Sequence, residues 1–170
     1  MSVQITLTMT QGSLQGRHFV FRDRTLCTIG RGRECFLHLS DEADRGVSRR
    51  HSLLDIRPPE VRIRDLGSLN GTYVNGENIG QREKGQSAEE AVLKEFPFHD
   101  LWDGDEVRIG TTCFRIGIAV VPTCLLCAHT IPVEKQESLR WAHGLFLCQA
   151  CRAKAEQYQD QIVLEEVLAR

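Results

Sequence analysis

Ile29-Gly30-Arg31-Gly32 opens the stretch that decides how this chain folds, and Asn75-Gly76 closes it. Between them lie Val47-Ser48-Arg49-Arg50-His51, two apolar-rich runs from His51 to Ile56 and from Val61 to Asp65, and Gly67-Ser68-Leu69-Asn70-Gly71-Thr72-Tyr73-Val74. The two runs are joined by Pro58-Pro59-Glu60, where proline supplies a turn and cannot continue a central ladder, so they read as a strand pair. Asn75-Gly76 is a strong tight-turn dipeptide. Each polar block therefore sits in a loop between strands, where a rigid sheet can aim two guanidinium groups, a hydroxyl and a side-chain amide at one ligand. Such a set of donors suits a phosphate.

Outward from that stretch the same rhythm continues. Val3-Gln4-Ile5-Thr6-Leu7-Thr8-Met9 alternates with a period of two, Gln11 to Gly16 supplies a turn, and His18-Phe19-Val20-Phe21 completes a hairpin. Arg24 to Ile29 and Phe36 to Leu39 read as further strands, as do Glu106 to Ile109 and, after a turn near Gly110, Cys113 to Val120. With no helical period before about residue 86, short strands at this spacing predict an all-β sandwich. Gly80 to Asp100 interrupts it. That segment reads as an inserted, solvated surface loop with one or two helical turns in Ser87 to Glu95, because Ser87 is followed three residues later by Glu90.

At 170 residues and 41% hydrophobic content the chain has room for one ordinary domain and a small appendage. A formal net charge of −2 argues against a general nucleic-acid or membrane-surface binder, which depends on summed positive potential. Any basic site must be local. Lys84, Lys94, Lys135 and Lys154 are the lysines of the chain, so every basic loop group before Lys84 is an arginine, suited to planar phosphate contacts. The absence of an apolar run of spanning length and of a basic-then-apolar leader gives the expectation of a soluble, cytoplasmic protein.

Pro122 marks a boundary, giving a sandwich over residues 1–121 and a second module over 122–170. Seven cysteines are present, and Cys124-x-x-Cys127 and Cys148-x-x-Cys151 stand as two matched pairs with 20 residues between them. In a reducing compartment that spacing predicts one structural metal ion, zinc, held by four thiolates. Iron stays open as the alternative. The arrangement resembles a zinc ribbon or a treble clef, built on Trp141, Leu145, Phe146 and Leu147 and unable to fold without metal. The second pair opens a helix expected from about Cys151 to Arg170, with Ile162, Val163, Val167 and Leu168 along one stripe and Glu166 beside them. Thiol–disulfide catalysis is the rival, weakened by the two matched pairs and the lack of a βαβ context. His129 and His143 are spare ligands, and Cys27, Cys35 and Cys113 are expected to be buried free thiols.

Four blocks in order carry a resemblance. Gly30-Arg31, Ser48-x-x-His51, Ser68-Leu69-Asn70-Gly71-Thr72-x-Val74-Asn75-Gly76 and Leu101-Trp102-Asp103-Gly104-Asp105-x-Val107-x-Ile109-Gly110 closely resemble the forkhead-associated (FHA) domain, a reader of phosphothreonine peptides, over roughly residues 1 to 121. The excursion from Gly80 to Asp100 departs from that family's pattern. The resemblance implies that Arg31 and Ser48 contact the phosphate, that Arg49 adds a third contact, and that Asn70 grips the peptide backbone. It leaves Gly30, His51, Gly71 and Thr72 as supports of the loops, with His51 pinning the one that carries Ser48. The function it implies is recruitment of phosphorylated protein partners. The alternative is a regulatory N-terminal piece of a larger signalling enzyme such as a Ser/Thr kinase, although no His-Arg-Asp or Asp-Phe-Gly loop is present. Nor is Gly30 to Cys35 a nucleotide loop, for it lacks a third glycine and a following helix. No nucleophile–base pair is visible, and four cysteines would leave a zinc ion no open position for water, so no catalysis is expected.

Overall fold

In the computed structural model, residues 2–40, 42, 44, 46–93, 95–131, 135, 140 and 145–158 are described. They divide into two compact units, one of Val3–Ala119 and one running from Val120 onward together with Ser2.

The first unit is two stacked sheets. Strands β1 (Ser2–Gln11), β2 (His18–Phe21), β3 (Thr25–Gly30), β4 (Leu37–His38), β5 (Ser52–Arg57) and β6 (Glu60–Asp65) come first. After them come β7 (Thr72–Val74), β8 (Glu77–Gly80), helix α1 (Ala88–Leu93), β9 (His99–Leu101), β10 (Glu106–Ile109) and β11 (Thr112–Val121). One sheet has the order β2-β1-β11-β10-β7-β8 and the other β4-β3-β5-β6-β9. Side chains along a strand alternate between faces, so period-two runs send one set inward. Ile5, Leu7 and Met9 of β1, Leu54 and Ile56 of β5, Val61 and Ile63 of β6, and Phe114 and Ile116 of β11 are all buried in a common core. Register follows the same logic: Leu54 faces Ile63 and Ile56 faces Val61 across the β5–β6 pair.

The expected strands are present with ends shifted by a residue or two, but two strands had no sequence signal. β8 contains one large apolar residue, Ile79, and β9 is three residues long; each exists by pairing with a neighbour, β8 with β7 and β9 with β6. The segment from Gly80 to Asp100 is accordingly less of a solvated excursion than expected. Its helix starts where the serine cap places it: Glu90 N–H donates to Ser87 Oγ at 3.2 Å and Ser87 N–H to Glu90 Oε2 at 3.0 Å. Ala91 is fully buried against Gly67, where a Cβ on the glycine would lie 2.7 Å from the alanine's own. Arg62 and Arg64 both lie over the Phe98 ring, at 4.4 and 4.8 Å from its centre. Small-residue contact and ring stacking thus fasten the segment to the sheet.

The second unit is organised by short pieces. Thr123 bridges Thr130, Arg140 bridges Phe146, and α2 (Gln149–Tyr158) follows Cys148. Its described buried core is Cys124, Ile131 and Leu147, flanked by Leu125, Phe146, Cys148 and Cys151. The expected continuation of the helix to Arg170 with its stripe of Ile162, Val163, Glu166, Val167 and Leu168 lies outside the described residues, as do Trp141 and His143. No described helix is long and apolar enough to cross a membrane.

Candidate functional site

Three loops meet at one end of the sandwich. As β3 ends, the chain zips onto the loop before β5: Arg31 N–H donates to Ser48 O at 3.1 Å, Gly32 N–H to Arg49 O at 2.8 Å, and His51 N–H to Ile29 O at 2.9 Å. The approach is so close that a Cβ at Gly30 would stand 2.2 Å from the Arg49 carbonyl oxygen, so glycine is required there. The Arg31 guanidinium is then anchored by its Nε–H on the Val47 carbonyl.

His51 ties this pair of loops to the third. Fully buried, it accepts the Ser48 N–H on Nδ1 at 3.0 Å and stands 3.0 Å from the Gly71 carbonyl through Nε2. An amide N–H can only donate, so Nδ1 must be the bare nitrogen and Nε2 must carry the proton toward Gly71. Burial pushes the imidazole pKa down, against the upward pull of the Gly71 carbonyl and the Asp65 charge, which keeps this neutral form in place.

The third loop is wound around Asp65, at the end of β6. The Asp65 carboxylate accepts from the N–H groups of Gly67 and Ser68 at 2.8 and 2.7 Å, and from the hydroxyls of Ser68 and Thr72 at 2.6 Å each. Ser68 Oγ accepts the Gly71 N–H at 2.9 Å, and Ser52 and Thr72 share a 2.8 Å hydroxyl contact. With that frame fixed, Leu69 N–H donates to Ser48 Oγ at 3.1 Å and Asn70 Nδ2 donates to Gly46 O at 2.8 Å. The hydroxyl of Ser48, holding one N–H as acceptor, keeps its own O–H to give. Asp65 and Ser68 were not singled out from sequence, although an aspartate two and three residues before a Gly-Ser step is the signature of a side-chain-closed turn.

Arg31, Ser48, Arg49 and Asn70 all line one groove of about 900 Å³. Gly30, His51, Gly71 and Thr72 stand behind it as just described. Arg50, Arg64 and Arg82 also line it, together with Glu34 and Glu95. Of these acids both are exposed, whereas Asp65, which also borders the groove, is buried and engaged with its own loop. What the groove presents is a set of guanidinium, hydroxyl and amide donors, suited to an anion with several oxygens.

A separate cluster lies in the second unit. The sulfur atoms of Cys124, Cys127, Cys148 and Cys151 are all within 4.8 Å of one another, and Cys127 and Cys148 are 3.7 Å apart. The first knuckle closes with Ala128 N–H on Cys124 O at 2.9 Å and Cys124 N–H on His129 O at 2.8 Å, with Ala128 at a φ of 56°. Burial would raise the Cys124 thiol, but backbone N–H groups of Cys148, Cys127 and Leu126 outweigh it and bring the pKa down to about 6. Cys151 moves the other way, to about 12, held protonated by its contacts with Cys148 and Cys127. One thiolate forms readily and then keeps protons on its neighbours; a cation in their midst would take the place of those protons. The four cysteines can hold a metal ion. Cys27, Cys35 and Cys113 are buried free thiols, and burial, with Cys35 nearby, pushes Cys27 up to about 12.

Comparison with known proteins accords with this geometry. The FHA domain family model matches residues 27–110. The glycogen accumulation regulator GarA of Mycobacterium tuberculosis is 34% identical over 104 residues, which are 61% of this chain and 51% of that protein. The oxoglutarate dehydrogenase inhibitor of Corynebacterium efficiens is 41% identical over 104 residues, 58% of its length. The chain thus spans little more than half the length of these relatives. An FHA domain solved in a structural and functional analysis of phosphothreonine-dependent FHA domain interactions superposes with a TM-score of 0.52 at 28% identity, covering 69% of this chain and 99% of that one. From Cys27 to Gly110, through the strands that carry the groove, the chain matches the forkhead-associated domain family, and its sandwich has that family's fold.

Proposed function

We propose that the groove captures a phosphothreonine peptide and that the chain recruits phosphorylated protein partners in signalling. The observation that carries this reading is the convergence of Arg31, Ser48, Arg49 and Asn70 on one groove, from three loops locked by His51 and Asp65. Arg31 and Arg49 supply charge to the phosphate, Ser48 O–H donates to one of its oxygens, and the Asn70 amide meets the peptide main chain. Three charge-assisted hydrogen bonds at about 1.5–3 kcal/mol each account for half or more of the roughly 8 kcal/mol of a micromolar complex, so affinity rests on the phosphate. A glutamate in place of the phosphothreonine has one charge and one oxygen too few. Calorimetric titration with a phosphothreonine peptide and its unphosphorylated twin tests this. Binding is expected for the first alone, and Arg31→Ala should abolish it with the fold intact by circular dichroism. Equal binding of both peptides, or undiminished binding by the variant, removes the proposal.

The cysteine module expected over residues 122–170 takes a structural role in the same reading. Cys124, Cys127, Cys148 and Cys151 hold one zinc ion, which supplies a cross-link between the two knuckles. Tetrahedral zinc with bonds of about 2.3 Å to sulfur sets its ligands about 3.8 Å apart, and the Cys127–Cys148 separation of 3.7 Å supports that assignment. A cytoplasmic setting keeps all seven thiols reduced.

A further inference from the structure

Three of the groove's arginines, Arg50, Arg64 and Arg82, are not used by the reading above, and two of them stand apart. Arg64 stands one residue before Asp65 on β6, and Arg82 two residues beyond β8. Both Nε atoms are buried and lack a hydrogen-bond partner among the described residues. A guanidinium whose Nε–H is withdrawn from water without an acceptor carries a cost, and an anion held at the groove-lining side of the same guanidinium offsets it through its charge. The Arg64 side chain and the Arg82 backbone are both held. Arg64 is stacked on the Phe98 ring, which it shares with Arg62, and Arg82 is tied by its backbone N–H to Ser68 O at 3.0 Å, in the loop that presents Asn70.

The inserted segment is what creates this arrangement. Phe96 lines the same groove as the two arginines and packs on β8, where a Cβ at Gly80 would lie 3.0 Å from the Phe96 ring; Ala88, at the start of α1, lines it too. The Phe98 ring shields one face of the Arg64 guanidinium from water and strengthens any ion pair formed there. Asp65, the buried acid that borders the groove, already takes four hydrogen bonds from its own loop. Glu95 and Glu34 are exposed and screened by solvent.

We propose that Arg64 and Arg82 form a second anion-accepting subsite in this groove, taking a carboxylate or phosphate that the same peptide carries beside its phosphothreonine. The inference rests on the phosphothreonine reading and adds to it a preference for acidic or doubly phosphorylated targets. It gives the Gly80–Asp100 segment a purpose in target selection.

Fluorescence anisotropy with the full chain at constant ionic strength tests it with three labelled peptides: a phosphothreonine peptide with neutral flanks, the same peptide with glutamates on both sides, and the same peptide with a second phosphothreonine. The flanked peptides are expected to bind roughly tenfold tighter, the gain of an added charge-assisted contact. Arg82→Gln and Arg64→Gln should erase that gain and keep the affinity for the neutral-flanked peptide, while Arg17→Ala, an exposed arginine outside the groove, should leave it intact. If Arg64→Gln fails to fold, Arg82→Gln decides, since it keeps the backbone N–H that holds the loop. A gain for the doubly phosphorylated peptide alone assigns the subsite to phosphate, and a gain for both assigns it to anions in general. Equal affinity for all three peptides, or a gain lost equally in Arg17→Ala, overturns the subsite and leaves the phosphothreonine reading standing. Failure of every phosphopeptide to bind overturns both.

Discussion

The loops bearing Arg31, Ser48 and Asn70 rest on a core that runs from Ile5 to Ile116 and are braced from behind by a buried histidine and a buried aspartate; the loops bearing the four cysteines rest, among described residues, on Cys124, Ile131 and Leu147. In the first region apolar burial supplies stability and polar side chains merely shape what it supports. In the second the burial among described residues is slight, and in the zinc reading proposed above the shaping groups, four thiols within 4.8 Å, supply the stability too. A binding site on a large core can lose its ligand and keep its form. A zinc knuckle of the kind proposed for the second region cannot.

The widest separation between the two regions comes from metal removal. Structural zinc contributes about 10–16 kcal/mol to small cysteine modules at neutral pH, so a strong chelator should erase amide-exchange protection around Cys124 to Ile131 and leave that of Ile5, Leu7 and Met9 unchanged. Protection kept in both regions, or lost in both, breaks the contrast.

Within the sandwich, Asp65→Ala should cost roughly 3–5 kcal/mol, because it strands buried donors of Gly67, Ser68 and Thr72 at once. A urea-unfolding midpoint that stays near that of the unmodified chain would show that the loop frame is not held from Asp65.

A smaller effect follows from His51. Its pKa is lowered in the folded state, so the unfolded chain binds the proton more readily, and stability drops as pH drops. The contribution is complete above the ordinary histidine range, near pH 6.5, and is lost as pH drops through the lower folded value. Protonated Nδ1 would also confront the Ser48 N–H. Urea midpoints measured from neutral to mildly acidic pH should decline, and His51→Gln should flatten that slope; a slope unchanged by the substitution would place its origin elsewhere.

Ser87→Ala is the mildest test. Loss of one helix cap costs about 1 kcal/mol, felt as faster amide exchange in α1 with phosphothreonine-peptide affinity retained. Slowed or unchanged exchange would mean the helix is held by Ala91 on Gly67 alone.

Legibility in the sequence tracked how local each feature is. Alternation in Val3 to Met9 and the Asn75-Gly76 turn announced their strands because side-chain direction and turn conformation are settled within a few residues. The Ser87–Glu90 cap was readable for the same reason. β8 and β9 were not, since Glu77 to Gly80 and His99 to Leu101 have little pattern of their own and are strands only where a neighbour offers backbone partners. Arg31, Ser48 and Asn70 could be picked out by their loop blocks, whereas Asp65 read as the plain end of a strand, and its four hydrogen bonds depend on how the following loop doubles back.

Taken alone, the residues determined a β-rich domain with an anion-directed loop set and a four-thiol cluster, because strand faces, tight turns and metal-ligand pairs are written in short-range spacing. Only the tertiary structure decided that Arg64, Arg82 and Phe96 border the same groove as Ser48. Their meeting depends on β9 joining β6 and on the inserted segment folding back over Gly67 and Gly80, and such long-range pairings leave no period in the chain to be read.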